Sequence, residues 1–498
     1  MNIKEAKTEI KHTIELYLEK DKSGEYIVPV VRQRPIFLIG APGIGKTAIM
    51  EQIAAEMDIA LVSYSMTHHT RQSAIGLPYL AEKEYAGRKC TISEYTMSEI
   101  IASIYEVMEK SKKSEGILFL DEINCVSETL APSMLLFLQY KRFGNEQIPQ
   151  GWVIVTAGNP PQYNKSVREF DVVTLDRLKY MTVEENYHVW KQYASSAAIH
   201  PAILAFLDLN ESCFYQISTT MDGKQYITAR GWEDLSTALR GYENHHFEIT
   251  STLILQYITV PNVARQFAAF YSLFQKYRSN YAIQDILAGN PQDDVVQKAK
   301  NASFDERISV ISLFRDMLCE RFCECILNDE ILQKTVKILR KIKKDAKDDT
   351  IASMISSHID EISQSLHQRE EAGSIDREQK SIDTGCILLL SEYVEIIQNI
   401  NKNKFKSIQT AFAKRAKSHE KQIETAASNL ANTFRFIRNC WPNGQEMVLF
   451  VTELTMNLYA TGFISRWGSD DYYQYNRELL VYDQDQNLKQ EIEALLNG

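Results

Sequence analysis

The 498-residue sequence has a globular composition, with 44% hydrophobic and 24% charged residues, which excludes a disordered, collagen-like or low-complexity chain. At about 150 residues per domain, the length predicts roughly three domains. The formal net charge of −10 disfavours binding to a nucleic-acid backbone. Eight cysteines, with no apolar signal segment at the start, are typical of reduced thiols in a cytoplasmic protein. No apolar run reaches about 18 residues, so no membrane span is expected.

The first 185 residues alternate between helical and strand patterns. Helical spacing of apolar residues predicts a first helix at 4–20. Alternation of this kind predicts a parallel sheet covered by helices on its faces. The predicted strands are 35–39, 59–66, 116–120 and 152–157, and the further predicted helices are 48–57, 98–110 and 129–140.

Strand patterns fade after residue 185. Residues 186–290 predict helices with one polar interruption at 219–225, and residues 300–436 predict long amphipathic helices. The polar stretch 368–384 is a candidate linker or exposed loop. The chain from Cys440 predicts a turn followed by another helix.

A glycine-rich segment follows the first predicted strand and fits the pattern G-x-x-x-x-G-K-[ST]. Glycines let the main chain curl so that its N–H groups face a phosphate. Lys46 would reach the β- and γ-phosphates of a nucleotide, and Thr47 would place its hydroxyl on Mg²⁺. The start of the following helix adds partial positive charge. The candidate nucleotide-binding residues are Gly40, Ala41, Pro42, Gly43, Ile44, Gly45, Lys46, Thr47 and Ala48.

Two acidic residues, Asp121 and Glu122, follow the apolar strand predicted at 116–120. Carboxylates at the end of a buried strand are costly unless they hold a cation or act on a substrate. We therefore assign Asp121 to the Mg²⁺ shell, partly through water, and Glu122 to polarising the attacking water. Taken alone, the pair could instead form an acidic helix N-cap.

With both motifs in place, the sequence resembles the AAA+ ATPases, and within them the MoxR branch of the helix-2-insert clade. The resemblance covers about residues 30–290. The segment Thr-Ala-Gly-Asn ending at Asn159 is similar to the family's sensor 1, which would lie next to the attacking water. Leu-Asp-Arg ending at Arg177 is similar to the element that carries the arginine finger, with Arg168 as the alternative. Thr-Ala-Arg ending at Arg230 resembles sensor 2, which would touch the γ-phosphate.

Residues 70–78 resemble the loop that lies near the ring's pore in MoxR-like ATPases. The residues that follow, up to about 95, would form the inserted hairpin of the clade, with its turn near Ala86 and Gly87.

The resemblance implies an α/β fold in three parts. An AAA+ αβα P-loop domain with a parallel sheet would span 1–185, an α-helical lid 186–290, and an α-helical C-terminal module 291–498. It also implies ATP and Mg²⁺ as cofactors and a ring of subunits, most often a hexamer. The partner would carry a von Willebrand A-type domain, and ATP hydrolysis would remodel or mature a client protein that the sequence does not identify.

Two rival classes stay open. One is a nucleic-acid motor or restriction-type NTPase similar to the McrB-like GTPases, which the acidic net charge disfavours. The other is a scaffold that assembles on binding ATP and hardly hydrolyses it, which the intact acidic pair Asp121-Glu122 disfavours.

Several other features predict structure rather than chemistry. Cys319, Cys323 and Cys325 match no standard zinc or cluster spacing, so buried structural thiols are expected. The basic runs 334–347 and 402–421 contain few aromatic residues, so they predict solvated helix faces or a surface that binds a partner protein.

Overall fold

The computed structural model describes residues 1–68, 72, 74, 76–85, 88–143, 146–163, 167–197, 199–220, 223–345, 350–374, 376–398, 403–442 and 444–477. The chain forms two compact units. The first comprises Met1–Val189 together with Ile359–Asp383, and the second comprises Trp190–His358 together with Thr384–Gly498. Each unit is described separately.

The first unit is built on a five-stranded sheet. The strands of this unit are β1 (Ile36–Gly40), β2 (Ala60–Ser65), β3 (Pro78–Tyr85), β4 (Arg88–Tyr95), β5 (Gly116–Asp121), β6 (Arg142–Phe143), β7 (Glu146–Gln147), β8 (Trp152–Gly158) and β9 (Lys179–Val183). The order in the sheet is β2-β5-β8-β1-β9, and all four neighbouring pairs are parallel. Strands β5 and β8 are almost continuously apolar because helices cover both faces of such a sheet. Two antiparallel hairpins, β3–β4 and β6–β7, lie outside it.

Helices cover the sheet and enclose its core. They are α1 (Ile3–Leu18), α2 (Lys46–Met57), α3 (Glu99–Ser111), α4 (Ala131–Tyr140), α5 (Val172–Leu175) and the start of α6 (Tyr187–Ser196). Helix α1 begins with a capping box in which Asn2 and Glu5 each accept a main-chain N–H of the other. Ile100 and Ile104 of α3 and Phe137 of α4 pack with Leu118 of β5 in one buried cluster. One part of the core of this unit therefore lies between the sheet and these two helices, and Ile49, Met50 and Ile53 of α2 are buried as well.

The predicted α/β fold with a parallel sheet is confirmed. Strand β9 and the β6–β7 hairpin were not predicted. Strand β9 is an edge strand in which only Met181 and Val183 are buried, so its short pattern carries little apolar signal. The hairpin expected after residue 78 is present as β3–β4, whereas its turn at Ala86 and Gly87 lies outside the described residues, as do several positions of the 70–78 loop.

Among its described residues, the second unit consists of helices and one hairpin, which coincides with the predicted polar interruption at 219–225. Its remaining elements in chain order are α7 (Pro201–Leu209), β10 (Gln216–Thr220), β11 (Gly223–Ile227), α8 (Ala229–Asn244), α9 (Ser251–Tyr257), α10 (Pro261–Asn280), α11 (Ile283–Leu287), α12 (Asp293–Lys300), α13 (Phe304–Asp345), α14 (Ile351–Glu371), α15 (Arg377–Gln398), α16 (Lys404–Cys440), α17 (Gln445–Met456) and α18 (Leu458–Trp467). Trp232 and the rings of Phe206 and Phe267 form its aromatic centre. The predicted domain boundaries at 185 and 290 stay predictions.

The linker predicted at 368–384 is wrong. Helix α14 continues to Glu371 and α15 begins at Arg377, so the break between them spans only 372–376. Polar residues misled the prediction because much of this segment is the exposed face of two helices. Moreover, residues 359–383 belong to the first unit, whereas the start of α14 and the larger part of α15 belong to the second unit.

The cysteines and the first basic run of the C-terminal helices lie largely as expected. Cys319 and Cys325 are buried and Cys323 is partly buried, and burial raises the pKa of Cys325 to about 11. In the basic run of α13, Arg340 and Lys341 are exposed while Ile342 is buried, as in an amphipathic helix.

In the part of the chain that the structure describes, no single helix has both the length and the apolar composition needed to cross a membrane. Helices α17 and α18, which are bent by 89° to each other, meet these criteria only as a pair.

Candidate nucleotide site

The candidate site lies where three neighbouring strands of the sheet end. Strands β5, β8 and β1 are adjacent and parallel, so their carboxyl ends meet at one edge. Asp121 ends β5, Asn159 follows β8, and the glycine-rich loop follows β1. Ligands of open α/β sheets bind at this edge.

The glycine-rich loop spans Gly40 to Thr47 and joins β1 to α2. Gly43 and Gly45 have φ angles of 74° and 95°, which residues with a Cβ rarely adopt. A Cβ on Gly40 would lie 2.6 Å from the carbonyl oxygen of Val183, so this position has no room for a side chain. The main chain therefore curls at the start of α2, which begins at Lys46.

Lys46 points back into this loop and is almost fully buried, with 8% of its surface exposed. Its Nζ donates to the carbonyl oxygens of Gly40 and Ala41 at 2.8 and 2.9 Å, and to Oδ1 of Asn159 at 3.0 Å. The predicted phosphate-binding lysine and the predicted sensor 1 residue, which are 113 positions apart in sequence, are thus in direct contact. An ammonium at the start of a helix and inside a glycine-rich loop is well placed to bind a phosphate.

Thr47 and Asp121 are also brought together. The hydroxyl of Thr47 donates to Oδ2 of Asp121 at 2.9 Å, and Oδ1 accepts the main-chain N–H of Glu122 at 2.9 Å. A hydroxyl and a carboxylate are hard oxygen ligands of the kind Mg²⁺ prefers when phosphates and water complete its shell. The pair fits the predicted metal site.

Glu122 has a left-handed main chain, with φ of 55°, where non-glycine residues are uncommon. Its Oε2 accepts hydrogen bonds from the hydroxyls of Ser65 at 3.3 Å and Thr67 at 3.1 Å. Both hydroxyls lie at or just after the end of β2. Sequence reasoning missed them, because isolated serines and threonines carry no motif.

Asn124 is a second residue that the sequence did not reveal. It is 2% exposed, and its Nδ2 donates to the carbonyl oxygen of Asn159 at 2.8 Å. A Cβ on Gly158 would lie 2.5 Å from Asn124 Oδ1, so glycine before Asn159 leaves the space that Asn124 fills. Its position just after Asp121-Glu122 was the available signal.

We call Lys46, Thr47, Asp121, Glu122 and Asn159 the strand-end cluster.

Burial, and then the charges of Glu122 and Asp121, raise the pKa of the neighbouring Cys125 thiol. That thiol therefore stays protonated at neutral pH and is a poor nucleophile.

The two candidate arginine fingers lie on the surface of the first unit. Arg177 is exposed and its Nη1 donates to the carbonyl oxygen of Val173 at 3.4 Å. Arg168 forms an ion pair with exposed Glu128 at 2.6 Å. The bonds of both guanidiniums thus go to nearby residues, and the choice between the two arginines stays a prediction.

Arg230 belongs to the second unit. It is exposed on the first turn of α8, whose N-cap Thr228 accepts the main-chain N–H of Gly231 at 3.1 Å. Arg230 thus lies at the start of a helix, and its role stays a prediction.

Residues 36–175 match the model of the ATPase family associated with various cellular activities (AAA). No curated protein matches the sequence. Among solved structures, the crystal structure of NtrX from Brucella abortus in complex with ATP is similar at 14% identity with a TM-score of 0.23, over 41% of this chain and 40% of that chain. This chain thus spans well under half the length of that protein. The first unit therefore carries an AAA domain, which supports an ATPase of the general AAA+ type.

Proposed function

We propose that the protein is a Mg²⁺-dependent ATPase in which water attacks the γ-phosphate in line. The observation that carries this proposal is the strand-end cluster. Residues from three separate segments, around 46, 121 and 159, meet at the end of the sheet where the AAA domain would bind its nucleotide. Each brings a chemical group that phosphoryl transfer requires.

Each residue of the strand-end cluster has a part in this reaction. Lys46 would exchange its carbonyl partners for phosphate oxygens and so gain charge-assisted hydrogen bonds. Thr47 and Asp121 would hold Mg²⁺, which supplies neutralisation of the phosphate charge when bound. Glu122 would orient the attacking water, and Asn159 would hold it in place.

In this proposal the hydroxyls of Ser65 and Thr67 hold Glu122 in a resting position. Both hydroxyls donate to its Oε2, so they orient the carboxylate toward themselves rather than toward the γ-phosphate. Turnover would therefore begin with release of Glu122 from β2.

We also propose that Arg177 completes the site of a neighbouring copy in a ring, most often a hexamer in such ATPases. Val172 and Val173, five and four residues before Arg177, are 81% and 58% exposed. Exposed apolar side chains beside an exposed arginine suit a protein–protein interface. An arginine from the neighbour would stabilise the negative charge of the transition state.

The work of the ring would be MoxR-like remodelling or maturation of a client protein, with a von Willebrand A-type partner. This part of the proposal rests on the sequence resemblance. A McrB-like NTPase would instead prefer GTP or respond to DNA, and an ATP-gated scaffold would assemble without phosphate release.

The first experiment measures phosphate release from ATP over a series of protein concentrations, with Glu122→Gln as the control. We expect specific activity to rise steeply with concentration, and the variant to bind ATP and assemble while its turnover falls by about 10²–10⁴-fold. Most of the wild-type turnover in Glu122→Gln would remove Glu122 from the mechanism. Faster turnover of GTP would favour the McrB-like alternative.

A further inference from the structure

The break between α14 and α15 is fastened to the edge of the sheet in the first unit. Ala372 is fully buried and belongs to the same apolar cluster as the core of the AAA domain. Its carbonyl oxygen accepts the main-chain N–H of Leu61 in β2 at 2.9 Å. Because β2 is an edge strand, this bond lies on its unpaired side.

The local sequence explains why the chain turns there. Helix α14 ends in a Schellman motif, in which the N–H of Gly373 bonds to the carbonyl of Glu370 and that of Ser374 to the carbonyl of Arg369. Gly373 has φ of 61°, and a Cβ there would lie 3.3 Å from the carbonyl oxygen of Leu61. Glycine thus allows both the turn and the close approach to β2.

Side chains strengthen the attachment. The ammonium of Lys113 bonds to Oγ of Ser374 at 2.8 Å and to Oδ1 of Asp58 at 2.9 Å. Ser374 is 4% exposed, so this bond is shielded from water. Lys110 and Glu371 add an outer ion pair at 3.5 Å. We call residues 371–374 with Lys113 the edge clasp.

Strand β2 links the edge clasp to the candidate catalytic glutamate. The clasp holds β2 at Leu61, and four residues later Ser65 ends the strand and donates to Glu122. Side chains on a paired strand move together with its main chain, because the ladder to β5 fixes their register. A change of position at Leu61 therefore reaches Ser65, and Thr67 lies in the turn just after the strand.

We propose that the edge clasp is a positioning element for Glu122: by fixing β2, it maintains the hydroxyl contacts that keep Glu122 in its resting position. This inference rests on the proposed ATPase function. Residues 371–374 of the clasp belong to the segment Ile359–Asp383 of the first unit, so the proposed coupling between the clasp and Glu122 lies within that unit.

The test is a double-mutant cycle on the full-length protein. Lys113→Met removes the ammonium but keeps most of the side-chain length, and we expect kcat to rise about threefold to tenfold with KM for ATP unchanged. Lys113→Arg should restore the wild-type rate. Lys20→Met, which removes a similar lysine–glutamate pair with Glu115, is the matched control and should change neither constant.

The decisive arm combines Lys113→Met with Thr67→Ala and Ser65→Ala. If the clasp acts through these hydroxyls, Lys113→Met has no further effect in their absence. Equal effects in both backgrounds would overturn the inference while leaving the ATPase proposal intact. Amide hydrogen exchange at residues 62–67, which needs no turnover, should also rise in Lys113→Met; unchanged exchange there would overturn it independently. Absence of ATP turnover in the wild type would defeat the proposed function instead.

Discussion

Two clusters of buried charge in this protein have opposite designs. In the strand-end cluster, Lys46 donates to two main-chain carbonyls and an amide oxygen at the carboxyl ends of the strands. The second unit contains a network of ion pairs among four buried residues, which are Lys191, Asp208, Arg315 and Glu453. We call it the ion-pair network. There Lys191 pairs with Asp208 at 2.7 Å and also with Glu453, which in turn bonds Arg315.

The two clusters differ in the partners of their buried charges. Burial alone raises the pKa of Glu453, but the charges of Arg315 and Lys191 outweigh it and lower that pKa. The two cations and the two carboxylates of this network are paired with one another within the second unit. Lys46 instead donates to two main-chain carbonyls and an amide oxygen where the strands end, and a phosphate bound there would add charge-assisted hydrogen bonds. The comparison teaches that a buried charge at the carboxyl ends of parallel strands indicates a binding site better than one in an ion-pair network inside a helical unit.

The largest expected effect concerns Arg177, which we propose completes the strand-end cluster of a neighbouring copy. Arg177→Ala should lower kcat by about 10³–10⁵-fold, because an arginine finger stabilises transition-state charge. If it acts on the neighbouring subunit, Arg177→Ala and Lys46→Ala proteins should recover activity when mixed, since some interfaces then combine intact halves. Phosphate release over a range of mixing ratios measures this. Co-assembly without recovery would point to Arg168 or to action within one subunit.

A substitution in the network of Lys191, Asp208, Arg315 and Glu453 should change the stability of the protein rather than its affinity for ATP. Arg315→Met leaves Glu453 buried beside a single cation, which should lower the free energy of unfolding by about 3–5 kcal/mol. Urea unfolding measures the change, with Arg340→Met on the exposed face of the same helix as control. At a temperature where the variant is folded, KM for ATP should not change. A loss of ATP affinity with unchanged stability would reverse the comparison.

Removing the cation of the strand-end cluster should instead change the affinity for ATP more than the stability. Lys46→Ala should weaken ATP binding by roughly 10- to 150-fold, the equivalent of one lost charged hydrogen bond of about 1.5–3 kcal/mol. Its urea midpoint should fall by less than that of Arg315→Met, because the hydrogen bonds to Gly40, Ala41 and Asn159 end on neutral oxygens. Calorimetric titration with ATP measures the affinity, and Lys20→Ala serves as the control. Unchanged affinity in Lys46→Ala would refute the assignment of the loop.

Glu243 in the second unit is another partly buried carboxylate, and its contribution to stability should depend on pH. Burial raises the pKa of Glu243, yet hydrogen bonds from His200 and Tyr271 outweigh it and lower that pKa to about 2. The folded value lies below the unfolded value, so the contribution to stability is present above about pH 4.5 and is lost as the pH falls toward 2. Between pH 5 and pH 3 the wild type should lose about 2 kcal/mol more than Glu243→Gln. Urea unfolding at both pH values measures this, with exposed Glu248→Gln as control. Equal losses would show that Glu243 is not held in its ionised form.

Local sequence determined the parts of this protein that lie within short segments. The curled loop at 40–47 follows from its glycines, and the buried strand before Asp121 follows from its apolar run. Their spacing sufficed to predict the parallel sheet and the phosphate-binding and acidic residues. The strand pattern failed at β9, since an edge strand with one buried side carries few apolar residues.

Tertiary structure alone decided which distant residues meet. Ser65 and Thr67 reach Glu122 because β2 pairs with β5 in a particular register, and Ala372 reaches Leu61 across more than 300 positions. Single serines, alanines and glycines have no distinctive pattern, so only folding shows what they contact. The same holds for Lys191 and Glu453, whose burial is tolerated only because four helices bring matching charges together.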